Sequence, residues 1–155
     1  MELLAELHPK VVHFPIALLL TYVIVELMGI VSKKEFYQKA AHLLLFFGVI
    51  GAFFAVLTGN QAYTAYEYWN DSSIELFNDH QTFANLTIWY FTGMLVLRTY
   101  LVVKKKFSSS YRYIIFILAL FGCYLVYQTS EHGGDLIKKF GVGTELNINL
   151  TEPND

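Results

Sequence analysis

The chain has 155 residues, of which 55% are hydrophobic and 17% aromatic, while only 15% are charged. A soluble domain carries about a quarter of its residues charged, so this balance weighs against an ordinary water-soluble domain; a net charge of −2 says little by itself, and no stretch reads as a nucleic-acid-binding patch. Cys123 is the single cysteine, which allows no intrachain disulfide and no CxxCH haem attachment.

Four apolar stretches, 11–31, 40–58, 82–103 and 112–130, approach or exceed the ~20 residues needed to cross ~30 Å of hydrocarbon. The first lacks a basic N-terminal region and a small-residue cleavage site and carries His13, Pro15 and Glu26, so it is read as a structural span and not as a secretion signal. Pro15 falls in its first turn, where a missing N–H costs little. The second stretch carries Gly48, Gly51, Ala52, Ala55 and Gly59, a small-residue strip for close helix approach, and Gly93 and Gly122 are expected to serve the third and fourth in the same way. The connections 32–39 and 104–112 are short, so spans 1 and 2, and then 3 and 4, are expected to be antiparallel neighbours. Between the two hairpins lies a longer connection. Its segment Asn60 to Asn70 sets Tyr63, Tyr66 and Trp69 at helical spacing, which predicts a short interfacial helix in the headgroup region, with the rings as an aromatic belt. Asp71 to Glu75 reads as a turn, and Asp79 or Thr82 as the cap of the third span. The expected domains are a four-span unit over 1–134 and an external tail over 135–155 that begins beyond Gly133 and Gly134.

Orientation follows the lysines and arginines of the short loops. Lys33, Lys34 and Lys39, and then Lys104, Lys105, Lys106 and Arg112, mark two connections as cytoplasmic. Both termini are then external, in the periplasm of a two-membrane bacterium, and the expected location is the inner membrane. The fold class is all-α, an antiparallel four-helix bundle with the lipid bilayer as its first partner.

His8-Pro9, the run His13-Phe14-Pro15-Ile16-Ala17-Leu18-Leu19, Thr58-Gly59, His80, Gly133-Gly134 and Gly141-Val142-Gly143 give the chain its resemblance to the bacterial predicted-membrane-protein family catalogued as domain of unknown function 2231. The resemblance covers nearly the whole chain. It implies a four-span membrane domain in a family whose members occur beside or fused to c-type cytochrome and Rieske-type domains, a context that points toward electron transfer. Asp135-Leu136-Ile137-Lys138-Lys139 departs from the more apolar, tyrosine-containing run associated with that family.

His13, His80 and His132 lie where apolar stretches meet polar flanks, and the topology puts all three at one membrane level. Two imidazoles from different helices can ligate the iron of haem b. His13 with His80, on diagonal spans, is the first choice of pair, and His80 with His132 the second. Asp79 or Glu131 is expected as second acceptor for a ring nitrogen, Phe14, Phe83, Tyr127 and Trp69 as ring-packing surface, and Lys10 or Lys138 as propionate partner. His8 lies outside the first stretch and about 140° from His13 around an ideal helix, which reads as a solvated or loop-capping position. Two alternatives stay open. The three histidines would also suit zinc or copper, with Asp79 or Glu131 completing the set, or they cap helices in an accessory or scaffold subunit without a cofactor.

Toward the cytoplasmic side, Glu26, His42 and Arg98 fall at similar depth inside their spans. Charges there must pair, so Glu26 with Arg98 is the expected ion pair and His42 its hydrogen-bond partner. The functional reading of the same cluster is a proton path or a quinone headgroup site. No phosphate loop, catalytic triad or internal repeat is evident, although the two hairpins invite comparison with each other. The expected function is that of a b-type-cytochrome-like redox subunit more than a stand-alone enzyme, passing electrons between a quinone or other membrane partner and a periplasmic c-type cytochrome or similar redox protein. A homo-oligomer is compatible with this reading.

Overall fold

A computed structural model of the chain describes residues 2–143. Five helices follow one another: α1 (Glu2–Val11), α2 (His13–Ser32), α3 (Glu35–Ala65), α4 (Asp71–Val103) and α5 (Ser109–Phe140). Helices α1 and α2 form one nearly continuous rod, since Val12 N–H donates to the His8 carbonyl at 3.1 Å and Ile16 N–H to the Val12 carbonyl at 3.4 Å. Two prolines explain the break between them. Pro9 lies inside α1, and Pro15 has no N–H to return toward the preceding turn.

The bundle is a square. Its sides are α2–α3, α3–α4, α4–α5 and α5–α2, while the backbones of the diagonal pairs stay apart, and α1 prolongs the α2 corner along α3. Leu19, Tyr22, Leu45, Phe91, Ile115 and Ala119 fill the middle. The outward faces are as apolar as the interior: Ile24, Val31, Trp89, Ile117 and Leu120 are all exposed. Soluble monomers rarely expose contiguous apolar patches beyond a few hundred Å², whereas a surface of this kind suits lipid. Four rods of 29–33 residues, Leu4–Ser32, Glu35–Ala65, Asp71–Val103 and Ser110–Phe140, are long and apolar enough to span a membrane. At 1.5 Å per residue they reach about 44–50 Å, so each continues past a ~30 Å hydrocarbon layer.

Those extensions revise the sequence boundaries. The segment Asn60 to Ala65 continues α3, closed by Tyr66 N–H donating to the Ala62 carbonyl at 3.2 Å. Residues 66–70 are irregular, so no separate interfacial helix stands between α3 and α4. The aromatic residues there pack on one another instead: Tyr63 stacks on Phe77 with centroids 4.3 Å apart, and Trp69 meets both Tyr63 and Tyr66. The N-cap of α4 is Asn70, neither Asp79 nor Thr82. Its Oδ1 accepts from Ser73 N–H at 2.9 Å while Ser73 Oγ accepts from Asn70 N–H at 2.9 Å, a reciprocal capping pair that starts the helix a full two turns earlier. At the other end α5 runs through Gly133 and Gly134 to Phe140 and stops at Gly141, whose left-handed φ of 65° lets its N–H return to the Ile137 carbonyl. The expected tail therefore begins in helix, and its remainder, 144–155, lies outside the described residues.

Small residues set the helix spacing. A Cβ on Gly48 would stand 2.6 Å from Leu19 Cδ2, and one on Gly122 would stand 2.4 Å from Phe91 Cζ. Gly93 does not share this role, because a Cβ there would meet nothing within 4 Å. The second tie is ionic. Arg98 on α4 and Glu26 on α2 join the diagonal corners through Nη1 and Oε2 at 2.5 Å, with both side chains almost wholly buried. Arg98 also donates from Nη2 to the Gln38 carbonyl at 3.0 Å and lies over the Phe107 ring at 4.7 Å.

Two stability outcomes follow. Gly122→Val is expected to destabilise the detergent-solubilised protein by about 1–3 kcal/mol through overpacking against Phe91. Gly93→Val is expected to stay within about 0.5 kcal/mol, both measured by equilibrium unfolding in mixed micelles. In the same assay Arg98→Met should cost about 3–5 kcal/mol by stranding Glu26, and adding Glu26→Leu should restore most of the loss.

Candidate functional site

One end of the bundle carries the lysine connections 33–34 and 104–106, and the opposite end carries His8, His13, His80 and His132. His8 belongs to α1, His13 opens α2, His80 lies in the third turn of α4, and His132 lies about two turns before the end of α5. The antiparallel topology therefore gathers the four at one end.

Each of the four rings is tied through the same nitrogen. His13 Nδ1 lies 2.6 Å from the Pro9 carbonyl, His132 Nδ1 lies 2.6 Å from the Gln128 carbonyl, and His80 Nδ1 lies 3.0 Å from the Thr129 carbonyl. A carbonyl only accepts, so these three rings carry their proton on Nδ1. His8 Nδ1 lies 3.0 Å from Thr58 Oγ1. The Thr58 hydroxyl donates to the Phe54 or Ala55 carbonyl at 3.0–3.1 Å, so its oxygen accepts and the proton is again on Nδ1 of the histidine. In the neutral form of each ring the lone pair is then on Nε2, and no hydrogen bond among the described residues engages an Nε2.

The expected neighbours are only partly there. Asp79 and Glu131 are exposed and serve as acceptor for neither His80 nor His132. The reason is helical geometry: a residue at i−1 points about 100° away from its neighbour, and main-chain carbonyls take the ring N–H instead. Phe83 does pack against a histidine, stacking on His132 with centroids 5.1 Å apart. Phe14 and Tyr127 are 58% and 61% exposed and face outward, and Trp69 belongs to the loop cluster. Lys10 and Lys138 are exposed at the same end.

The histidines also differ in setting. His13 is exposed and turned back onto Pro9 of α1. His8, expected to be solvated, is half-buried and bonded across to α3. Among the described residues no three His, Cys, Asp or Glu side chains gather closely enough to hold a metal ion. The zinc or copper set of His13, His80 and His132 is therefore not assembled, since His13 stays with Pro9 while the other two pack at the α4–α5 seam.

At the lysine end the Glu26–Arg98 pair forms as expected, and His42 does not join it. His42 Nδ1 is buried without a hydrogen-bond partner, and the residue lines a shallow groove of about 600 Å³ between α3 and α4, with Phe46, Leu95, Thr99 and Tyr100 among its walls. Glu26 is tied to Arg98 and lies outside that groove, so the two proton-exchanging groups of the sequence reading are separated.

No curated protein and no solved structure matches the chain. The family model described as predicted membrane protein, DUF2231, matches residues 5–146, from α1 to just past the end of α5. With four membrane-spanning helices and a match over nearly its whole length, the chain belongs to the DUF2231 family of predicted membrane proteins.

Proposed function

We propose that the protein is a b-type-cytochrome-like electron-transfer subunit of the bacterial cytoplasmic membrane, binding haem b between imidazoles at the histidine end of the bundle. The observation that supports this reading is the common state of the four rings, with Nδ1–H engaged and the Nε2 lone pair open. A metal-ligating histidine typically donates its other ring N–H to a carbonyl or similar acceptor, which fixes the tautomer and makes the ligating nitrogen more basic. The square bundle adds the second requirement, since ligands can approach from opposite helices whose axes do not touch.

Bound haem supplies a one-electron couple whose potential follows from its axial ligands, burial and hydrogen bonding. The chain's part is to hold the rings, exclude water and keep the site near one membrane face. A quinol in the bilayer gives up two electrons and two protons on becoming quinone. A haem held there would pass those electrons singly to an external one-electron acceptor such as a c-type cytochrome, with the protons released to water. The lysine connections favour the cytoplasm for their end, which puts the histidine end outside.

A dithionite-reduced minus air-oxidised visible spectrum of the purified protein, from cells supplied with haem precursor, is expected to show the sharp bands of low-spin haem at near-stoichiometric iron. A colourless, iron-free protein that is fully folded would instead favour an accessory subunit whose histidines are structural. Orientation is checked separately. In a Cys123→Ala background, a cysteine at Ser72 is expected to react with a membrane-impermeant maleimide from the periplasmic side, and a cysteine at Lys105 only after the cells are opened.

A further inference from the structure

His42 differs from the other four histidines, each of which is hydrogen-bonded through Nδ1. Two of those, His13 and His132, use the carbonyl four residues back, that of Pro9 and that of Gln128. The corresponding carbonyl for His42 is that of Gln38, and it accepts instead from Arg98 Nη2 at 3.0 Å. The buried ion pair has therefore taken the place that this imidazole would use, and His42 Nδ1 is closed off from the surface with no hydrogen bond. A nitrogen sealed in this way has no acceptor for a proton, so the neutral ring carries its proton on Nε2. An ionisable side chain left without a partner inside a spanning helix is costly to keep, and such residues are retained where something outside the chain completes them.

The same imidazole forms part of the wall of the groove between α3 and α4, about 600 Å³ in volume, within the ~300–1,000 Å³ range of small-molecule sites. Phe46, Val96, Tyr100 and Val103 line it and are exposed on the outer face of the bundle, so an occupant arrives from the bilayer. The Thr99 hydroxyl in the wall turns back to the Leu95 carbonyl at 2.7 Å. That leaves the His42 ring and the Tyr100 hydroxyl as the groove's polar groups without a hydrogen bond among the described residues. Depth narrows the chemistry further. His42 is the eighth residue of α3, about 10 Å along the helix from Glu35 and removed from the lysines at 33–34. A phosphate stays level with those lysines, whereas a group that meets His42 is uncharged and accepts a hydrogen bond.

We infer that this groove binds a membrane-soluble quinone, with a ring carbonyl accepting the Nε2 proton of His42 and the Tyr100 hydroxyl as the second polar contact. A quinone combines what the groove asks for: it dissolves in hydrocarbon, its ring is flat enough for a shallow groove, and its carbonyls accept hydrogen bonds without carrying charge. Its tail stays in the bilayer, on the open side. An acyl chain brings no acceptor to this depth. Glu26 takes no part, because Arg98 holds it; Arg98 is a positioning residue, which keeps the Gln38 carbonyl from His42 and so leaves the imidazole for the ligand. The site goes beyond the haem reading and does not depend on it, since it lies at the lysine end and the other four histidines lie at the opposite one.

The test is saturation binding of decylubiquinone and of a short-chain menaquinone to the purified protein in detergent, with circular dichroism as the check on folding. One of the two is expected to bind at about one molecule per chain. His42→Leu should weaken binding tenfold or more, and His42→Gln, which keeps a donor, should weaken it less. Thr99→Trp, which fills the groove, should abolish binding, while Ile117→Ala on the outer face of α5 should leave it unchanged. The double variant Arg98→Met, Glu26→Leu returns the Gln38 carbonyl to His42 and should weaken binding several-fold. Should His42→Leu fail to fold, an azidoquinone photo-cross-linked to the wild-type protein decides: label within residues 42–46 or 95–103 supports the site, and label confined elsewhere overturns it. The inference is also overturned by wild-type protein that binds neither quinone, by binding indifferent to His42→Leu, or by displacement of the quinone by equimolar phosphatidylglycerol, which would make the groove a phospholipid seat. Quinone binding is read without haem, so either reading survives the failure of the other.

Discussion

In hydrocarbon there is no water to take up an unpaired polar group, so every donor and acceptor on a spanning helix must find its partner inside the chain. The effect is visible far beyond the helix backbone. Thr58, Thr87, Thr92, Thr99 and Thr129 all turn their hydroxyls back onto carbonyls of the preceding turn, at 2.7–3.1 Å. Tyr90 donates to the Leu118 carbonyl across the α4–α5 seam at 2.8 Å. Arg98 meets a carboxylate, a carbonyl and the faces of Tyr22 and Phe107. Against such thorough pairing, the buried polar side-chain atoms left open carry information. Among the described residues they are Tyr22 Oη, His42 Nδ1, Arg98 Nε and Arg112 Nε.

The two ends of the bundle solve the polar problem differently. At the lysine end an ion pair closes on itself. Replacing such a pair with packed apolar residues is often neutral or stabilising, which makes its service one of register: it fixes α2 against α4 across the diagonal and stops either hairpin from sliding. At the histidine end the cross-links are weaker hydrogen bonds, His8 to Thr58, His80 to Thr129, and Thr129 to Thr87 at 3.0 Å. Each of these joins legs within one hairpin, and none joins the hairpins to each other. The hairpins themselves are joined at this end by Tyr66, whose hydroxyl donates to the Phe140 carbonyl at 2.8 Å, and by the stacking of Tyr63 on Phe77.

Much of the fold was legible because hydrophobic length and loop charge are one-dimensional signals. The four spans, their antiparallel order, the Glu26–Arg98 pair and the Gly48 and Gly122 contacts all follow from residues counted along the chain. The failures have a shared cause. Apolar composition marks where hydrocarbon lies and not where a helix ends, so capping at Asn70–Ser73 and termination at Gly141 put the boundaries well outside the apolar stretches. The interfacial helix was lost in the same way, since the periodicity of Tyr63 and Tyr66 belongs to the last turns of α3. Gly93 looked like Gly122, but which side of a helix a glycine occupies depends on a neighbour that sequence does not name. Asp79 and Glu131 were attractive for adjacency, and adjacency along a helix is a poor guide to contact.

The choice between His8 and His13 shows the same limit at the site itself. Five residues of separation mean that the two rings cannot share a helix face, so at most one points into the bundle. Membership of the apolar stretch favoured His13. The rod formed by α1 and α2 removes that advantage, because His8 is helical too and lies on the side that meets α3. What a single helix could not show lies on the facing helix of each hairpin: Thr58 and Gly59 lie against His8, and the Thr129 carbonyl and Gly133 lie against His80. A histidine on one leg held by the facing leg is a pattern between helices, invisible to a search for ligand spacing within one.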